Sequence, residues 1–192
     1  MFDLYWNEFG HKLDDPNLYF NDKHILPVVT GFLITAKHIH WPVDSLMSAL
    51  GLKLETARMF VTKPGKKLQM HRDCLSGSNK LREWAINIPI AGCEQGVNEW
   101  FADEHNDFGN ETFLPGGSSI MPEFFENNYT VSESCGLNCI KLFRTDVMHN
   151  VNNQGNTEKR VVLSLRGNAN LTYNDVAERI NDFNNRCAEN YS

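Results

Sequence analysis

The segment from Thr56 to Arg166 constrains the fold most, because it breaks into short extended runs separated by turn residues. Runs rich in β-branched, aromatic or alternating apolar residues predict strands at 58–62, 67–71, 81–90, 98–102, 118–122, 129–132, 138–144 and 160–166. Gly, Pro and Asn cluster between them. Lys63-Pro64-Gly65-Lys66 places Pro second and Gly third, the residues that a type II turn selects. Many short strands joined this way predict an antiparallel sandwich or barrel, not a parallel sheet with regular helices between its strands.

The flanks read differently. Residues 25–35 are β-branched and aromatic and predict a further strand. Residues 41–51 predict a short helix, with Pro42 near its start and Gly51 just past its end. Near the C-terminus, Thr172-Tyr173-Asn174-Asp175 resembles a capping box with Asp in place of Glu or Gln. Val176, Ile180, Phe183 and Cys187 then recur at helical spacing, which predicts a helix over 172–188 laid on the outside of the sheet. No linker or repeat divides the chain. It reads as one domain: a helix and strand preamble (1–54), a β core (55–169) and a C-terminal helix.

Composition narrows the function classes. With 192 residues, 41% hydrophobic and 22% charged, the chain is long and apolar enough to close a substantial core. A net charge of −6 argues against a general nucleic-acid binder, which would carry a basic face. The N-terminus lacks a cationic start followed by an apolar run, so no signal peptide is expected. The longest apolar stretch, 25–36, is too short to span a bilayer and contains Pro27 and Gly31. The expectation is therefore a cytoplasmic protein without a membrane partner, its odd number of cysteines (five) held reduced.

Candidate chemistry starts at His71-Arg72-Asp73. An extended chain alternates its side chains, so His71 and Asp73 share one side. A metal such as Fe(II) accepts an imidazole and a carboxylate and needs one more imidazole for a facial triad. His149 supplies a candidate. Eleven residues further on, Arg160 opens the run Arg160-Val161-Val162-Leu163-Ser164-Leu165-Arg166. Alternation puts Arg160, Val162, Ser164 and Arg166 on one face and Val161, Leu163 and Leu165 on the other. The apolar set would meet covering helices, which turns both arginines toward a barrel interior.

Laid in order, these pieces resemble the Fe(II)- and 2-oxoglutarate-dependent dioxygenases, closest in flavour to the aspartyl/asparaginyl hydroxylase-like branch. The matching residues are Pro64-Gly65, His71-Arg72-Asp73, Arg82 through Pro89, His149-Asn150-Val151-Asn152-Asn153 and Arg160. The resemblance covers 58–166. It implies a mainly β fold with flanking helices, a double-stranded β-helix of the jelly-roll, cupin-like kind. It also implies Fe(II) on His71, Asp73 and His149, with O2 as co-reactant and 2-oxoglutarate as cosubstrate. Arg160 would hold the distal carboxylate of 2-oxoglutarate, with Arg166 as its rival, and Arg82 or Asn87 would touch cosubstrate or substrate. The implied reaction is hydroxylation of an aliphatic carbon, coupled to decarboxylation of 2-oxoglutarate to succinate and CO2. The implied substrate is a protein or peptide side chain or a small amino-acid-like metabolite. Some members of that branch lack the carboxylate ligand, whereas Asp73 is present here. The alternative is a cupin-like protein that binds metal or ligand without turnover. Trp84 and Trp100 read as core or pocket walls, and His105 as part of a polar loop.

Overall fold

The computed structural model describes residues 23–25, 29–34, 41–75, 78, 80–102, 112–114, 118–120 and 129–189. Among them run strands β1 (Lys23–Ile25), β2 (Val29–Ile34), β3 (Leu54–Thr62), β4 (His71–Asp73), β5 (Trp84–Ala91) and β6 (Val97–Ala102). Then come β7 (Thr112–Leu114), β8 (Ser118–Ile120), β9 (Thr130–Gly136), β10 (Lys141–Arg144), β11 (His149–Asn152) and β12 (Arg160–Gly167). Helix α1 (Trp41–Ala49) precedes β3, and α2 (Tyr173–Glu189) ends the described chain.

Two six-stranded antiparallel sheets result, ordered β1-β2-β3-β12-β5-β10 and β7-β8-β4-β11-β6-β9. The eight strands β3 to β6 and β9 to β12 carry the topology. Successive strands distribute between the sheets so that first, eighth, third and sixth are neighbours in one, and second, seventh, fourth and fifth in the other. That order is a double-stranded β-helix, the jelly-roll arrangement. Side chains on the inner faces of the two sheets therefore meet in a barrel interior.

The outer face of the first sheet holds the main core. Ala57, Met59 and Val61 of β3, Trp84, Ile86 and Ile88 of β5, and Val161, Leu163 and Leu165 of β12 bury against Val43, Met47 and Leu50 from the α1 segment and Val176 of α2. At roughly 1.5–3 kcal/mol per large aliphatic side chain, this layer is the main stabilising contact. Both helices end as the sequence predicts. Gly51 sits at φ 63°, and the Gly51 N–H to Ser48 O and Leu52 N–H to Met47 O bonds close a Schellman motif sealed by Leu52 on Met47. At α2, Thr172 Oγ1 accepts from Asp175 N (3.2 Å) while Asp175 Oδ2 accepts from Thr172 N (2.8 Å).

Three sequence expectations shift. The predicted strand over 67–71 begins only at His71, and Lys67 makes a single bridge to Asn152. The strand His149–Asn152 was not anticipated, because its Asn and His content hides a pairing that β4 and β6 impose from both sides. The expected strand over 25–35 contains β2 and the last residue of β1, with 26–28 and 35 outside the described residues. His105 also lies outside them, as do the side chains of Trp41 and Cys187.

Candidate metal centre and anion pocket

Register brings the predicted ligands together. His149 is the cross-strand partner of His71 on one side and of Trp100 on the other, and Asp73 lies two residues beyond His71 on the same face. The ligand atoms of His71, Asp73 and His149 all lie within 4.8 Å of one another. The two rings are 4.4 Å apart by centroid and tilted by 49°.

Local geometry orients each donor. His71 Nδ1 contacts Gln69 O at 2.9 Å, and His149 Nδ1 contacts Val147 O at 2.8 Å. A carbonyl oxygen only accepts, so each Nδ1 donates and each Nε2 is the nitrogen left for an ion. Burial, and then the neighbouring His71, pushes the His149 pKa down to about 4, so His149 is neutral at physiological pH and ready to ligate. Asp73 is pinned through its backbone, its N–H donating to Thr145 O and its carbonyl accepting from Arg82 N. Burial pushes its carboxyl upward, but Arg166 foremost, with His149, His71 and Arg82, outweighs that and holds it below the usual carboxylate range. Arg166 Nη2 donates to Asp73 Oδ2, which leaves Oδ1 as the oxygen for an ion. Two imidazole nitrogens and one carboxylate oxygen, each braced from behind, fit a divalent transition metal.

Arg160 and Arg166 both cross the interior from β12 to the second sheet. Arg166 is spent on Asp73, so Arg160 is the guanidinium that stands apart from the triad. It is 2% exposed. Its Nη2 donates to Asn98 Oδ1 at 3.0 Å, and its Nε has no partner among the described residues. Burial lowers its pKa, offset only by the Cys93 and Cys135 thiols; among the described residues no carboxylate pairs with it. A buried cation without a counter-charge is costly, and an anionic ligand relieves that cost. Position matters as much as charge. Trp100 pairs with His149 and Asn98 with Val151, so the Arg160–Asn98 contact lies two residues of extended chain, about 7 Å, from the row of the histidines.

The remaining predicted residues separate. Asn87 pairs with Ser164 on the inner face of β5, and its Oδ1 has no partner. Arg82 lies 3.7 Å from Glu55 Oε2, at the rim, within electrostatic range of Asp73 but not in the ligand cluster. Trp84 is core, its Nε1 donating to Leu171 O, whereas Trp100 stacks on Phe143 at 5.2 Å beside His149. Gly96 and Asn98 were not singled out from the sequence. The available signal was parity: positions 96, 98 and 100 share one face of an extended run. Among the described residues no helix is long and apolar enough to cross a membrane.

No family model matches the chain, and no curated protein matches it either. Solved structures resemble it distantly. Vicilin from Corylus avellana (hazelnut) aligns at TM-score 0.43 and 11% identity over 80% of this chain and 32% of that chain. The Lactobacillus farciminis oxalate decarboxylase formate complex aligns at 0.37 and 10% over 75% and 30%. Oxalate decarboxylase from Bacillus subtilis at pH 4.6 aligns at 0.38 and 12% over 76% and 27%. The chain thus spans about a third or less of each matched protein. The fold assignment rests on the strand order within this chain.

Proposed function

We propose that this protein is an Fe(II)- and 2-oxoglutarate-dependent oxygenase that hydroxylates an aliphatic carbon of a protein side chain or a small amino-acid-like molecule. The observation that carries this reading is Arg160: a guanidinium buried without a carboxylate among the described residues, one strand repeat from a His/Asp/His cluster. A metal-only site has no use for such a cation. An acid that chelates the metal at one end and presents a carboxylate at the other uses both. When bound, Fe(II), 2-oxoglutarate and O2 supply the oxidation, one oxygen atom going to succinate and the other to the substrate carbon.

The chain's own residues do the positioning. His71, Asp73 and His149 would hold the metal from one side and leave the opposite side open. Arg160 would hold the distal carboxylate, and Trp100 and Phe143 wall the interior beside His149 against water. Asn87, whose Oδ1 on the inner face has no partner among the described residues, would contact the cosubstrate or substrate.

The test is an anaerobic titration of apoprotein with Fe(II) and then 2-oxoglutarate, followed by the weak visible metal-to-ligand charge-transfer band. The band is expected in wild type, absent in His71→Ala, and shifted to much higher 2-oxoglutarate in Arg160→Ala. Metal binding without any response to 2-oxoglutarate would overturn the reading in favour of a non-catalytic metal-binding protein.

A further inference from the structure

Resting on that reading, we propose that Gly96 and Asn98 fix the reach of Arg160 and thereby select the chain length of the acid that bridges it to the metal. The inner row of the β6 segment runs Gly96, Asn98, Trp100, and each position has a distinct contact. Trp100 pairs with His149 in the metal row. Asn98 Oδ1 accepts from Arg160 Nη2 at 3.0 Å. Gly96 lies under the arginine stem: a Cβ built there would stand 2.9 Å from Arg160 Cδ, 3.4 Å from Arg160 Nε and 2.8 Å from Asn153 Oδ1.

Gly96 is not required by its backbone, since its φ lies outside the left-handed region that Gly51, Gly65 and Gly92 occupy. It is required by space. The Arg160 stem lies along the strand over position 96, and its head stops at position 98, two residues short of the histidine row. Asn153 has little room to yield to a new methyl group, although its Oδ1 has no partner among the described residues. Its Nδ2 is shared among Thr62 O (3.5 Å), Lys63 O (3.1 Å) and Glu158 O (3.3 Å), and its side chain is fully buried. A Cβ at 96 therefore crowds the Arg160 stem and Asn153 together, and relieving both contacts changes where the arginine head sits relative to the strand. Asn98 supplies the other half of the clamp: its Nδ2 donates weakly to Cys135 O at 3.4 Å, which turns its Oδ1 toward the guanidinium.

The cation is thus held at a set distance from the metal row, and an acid one carbon shorter or longer would miss one of its two anchors. Gly96 and Asn98 would touch neither metal nor acid; both act through Arg160 as positioning residues.

The test uses whole protein loaded anaerobically with Co(II), a spectroscopic stand-in for Fe(II). Oxaloacetate, 2-oxoglutarate and 2-oxoadipate are titrated separately, followed by the Co(II) d–d spectrum and by thermal unfolding. Wild type is expected to bind the five-carbon acid at least about tenfold more tightly than either homologue. Gly96→Ala and Asn98→Ala should each weaken 2-oxoglutarate at least about tenfold and erase most of that preference, with Co(II) affinity unchanged. Should Gly96→Ala fail to unfold cooperatively, Asn98→Ala decides, because it removes a contact without adding an atom. Retention of the wild-type chain-length preference in the variants overturns the proposal while leaving the oxygenase reading intact. Co(II)-loaded wild type that binds none of the three acids overturns both.

Discussion

Arg166, on the last full turn of pleat in β12, donates through Nη2 to Asp73 Oδ2 on β4, joining the two sheets across the barrel at the metal end. Both side chains are nearly dry, at 10% and 6% exposure, and the ring of Phe60 lies 6.0 Å from the guanidinium. The pair leaves one carboxylate oxygen for a metal, and breaking it leaves a buried charge alone. Arg166→Met is expected to lower apoprotein stability by roughly 3–5 kcal/mol and metal affinity by about 10- to 100-fold. Arg166→Lys should recover part of both. Urea unfolding and Co(II) titration measure the two effects.

Arg160 should behave in the opposite sense. With no carboxylate to balance it among the described residues, Arg160→Met is expected to leave the apoprotein equally stable or stabilise it by about 1–4 kcal/mol. The same change should abolish stabilisation by 2-oxoglutarate, which in metal-loaded wild type at a hundredfold excess over its dissociation constant amounts to about 2.7 kcal/mol. Thermal unfolding with and without the acid separates the two effects. A destabilised apoprotein would contradict the uncompensated-charge account.

The end of β12 is sterically locked. A Cβ on Gly167 would lie 2.1 Å from the backbone oxygen of Lys53, so Gly167→Ala must displace the strand end next to Arg166. A loss of roughly 2–3 kcal/mol is expected, with weakened metal binding as Arg166 shifts from Asp73. By contrast, Thr172→Ala removes the cap of α2 and should cost about 1 kcal/mol with metal affinity unchanged. Parallel Co(II) titrations of the two variants distinguish site-coupled from merely structural destabilisation.

His149 gives the apoprotein an acid-sensitive window. Its folded pKa of about 4 lies below the ordinary value of 6.5, so between those values the unfolded chain binds more protons than the folded one. Stability contributed by the neutral ring is full above about pH 6.5 and is lost as pH falls toward about 4, a change of roughly 3 kcal/mol. His149→Gln should flatten that part of the stability–pH curve. An unchanged slope in the variant would show that the ring is not held neutral by burial.

The sequence by itself determined the elements and the faces. The His71/Asp73 pair on one side of a strand, the inward face of Arg160 and Arg166, the Gly51 helix stop and the Thr172–Asp175 cap all follow from local periodicity and backbone chemistry, which act within a few residues. It left Arg160 and Arg166 as rivals for one carboxylate. The tertiary structure gives them different partners, setting Asp73 against Arg166 across 93 residues of chain and Arg160 over Gly96 and against Asn98. The physical reason is the same in each case. Alternation fixes which way a side chain points, but its partner depends on the register between strands of different sheets, and non-local packing sets that register.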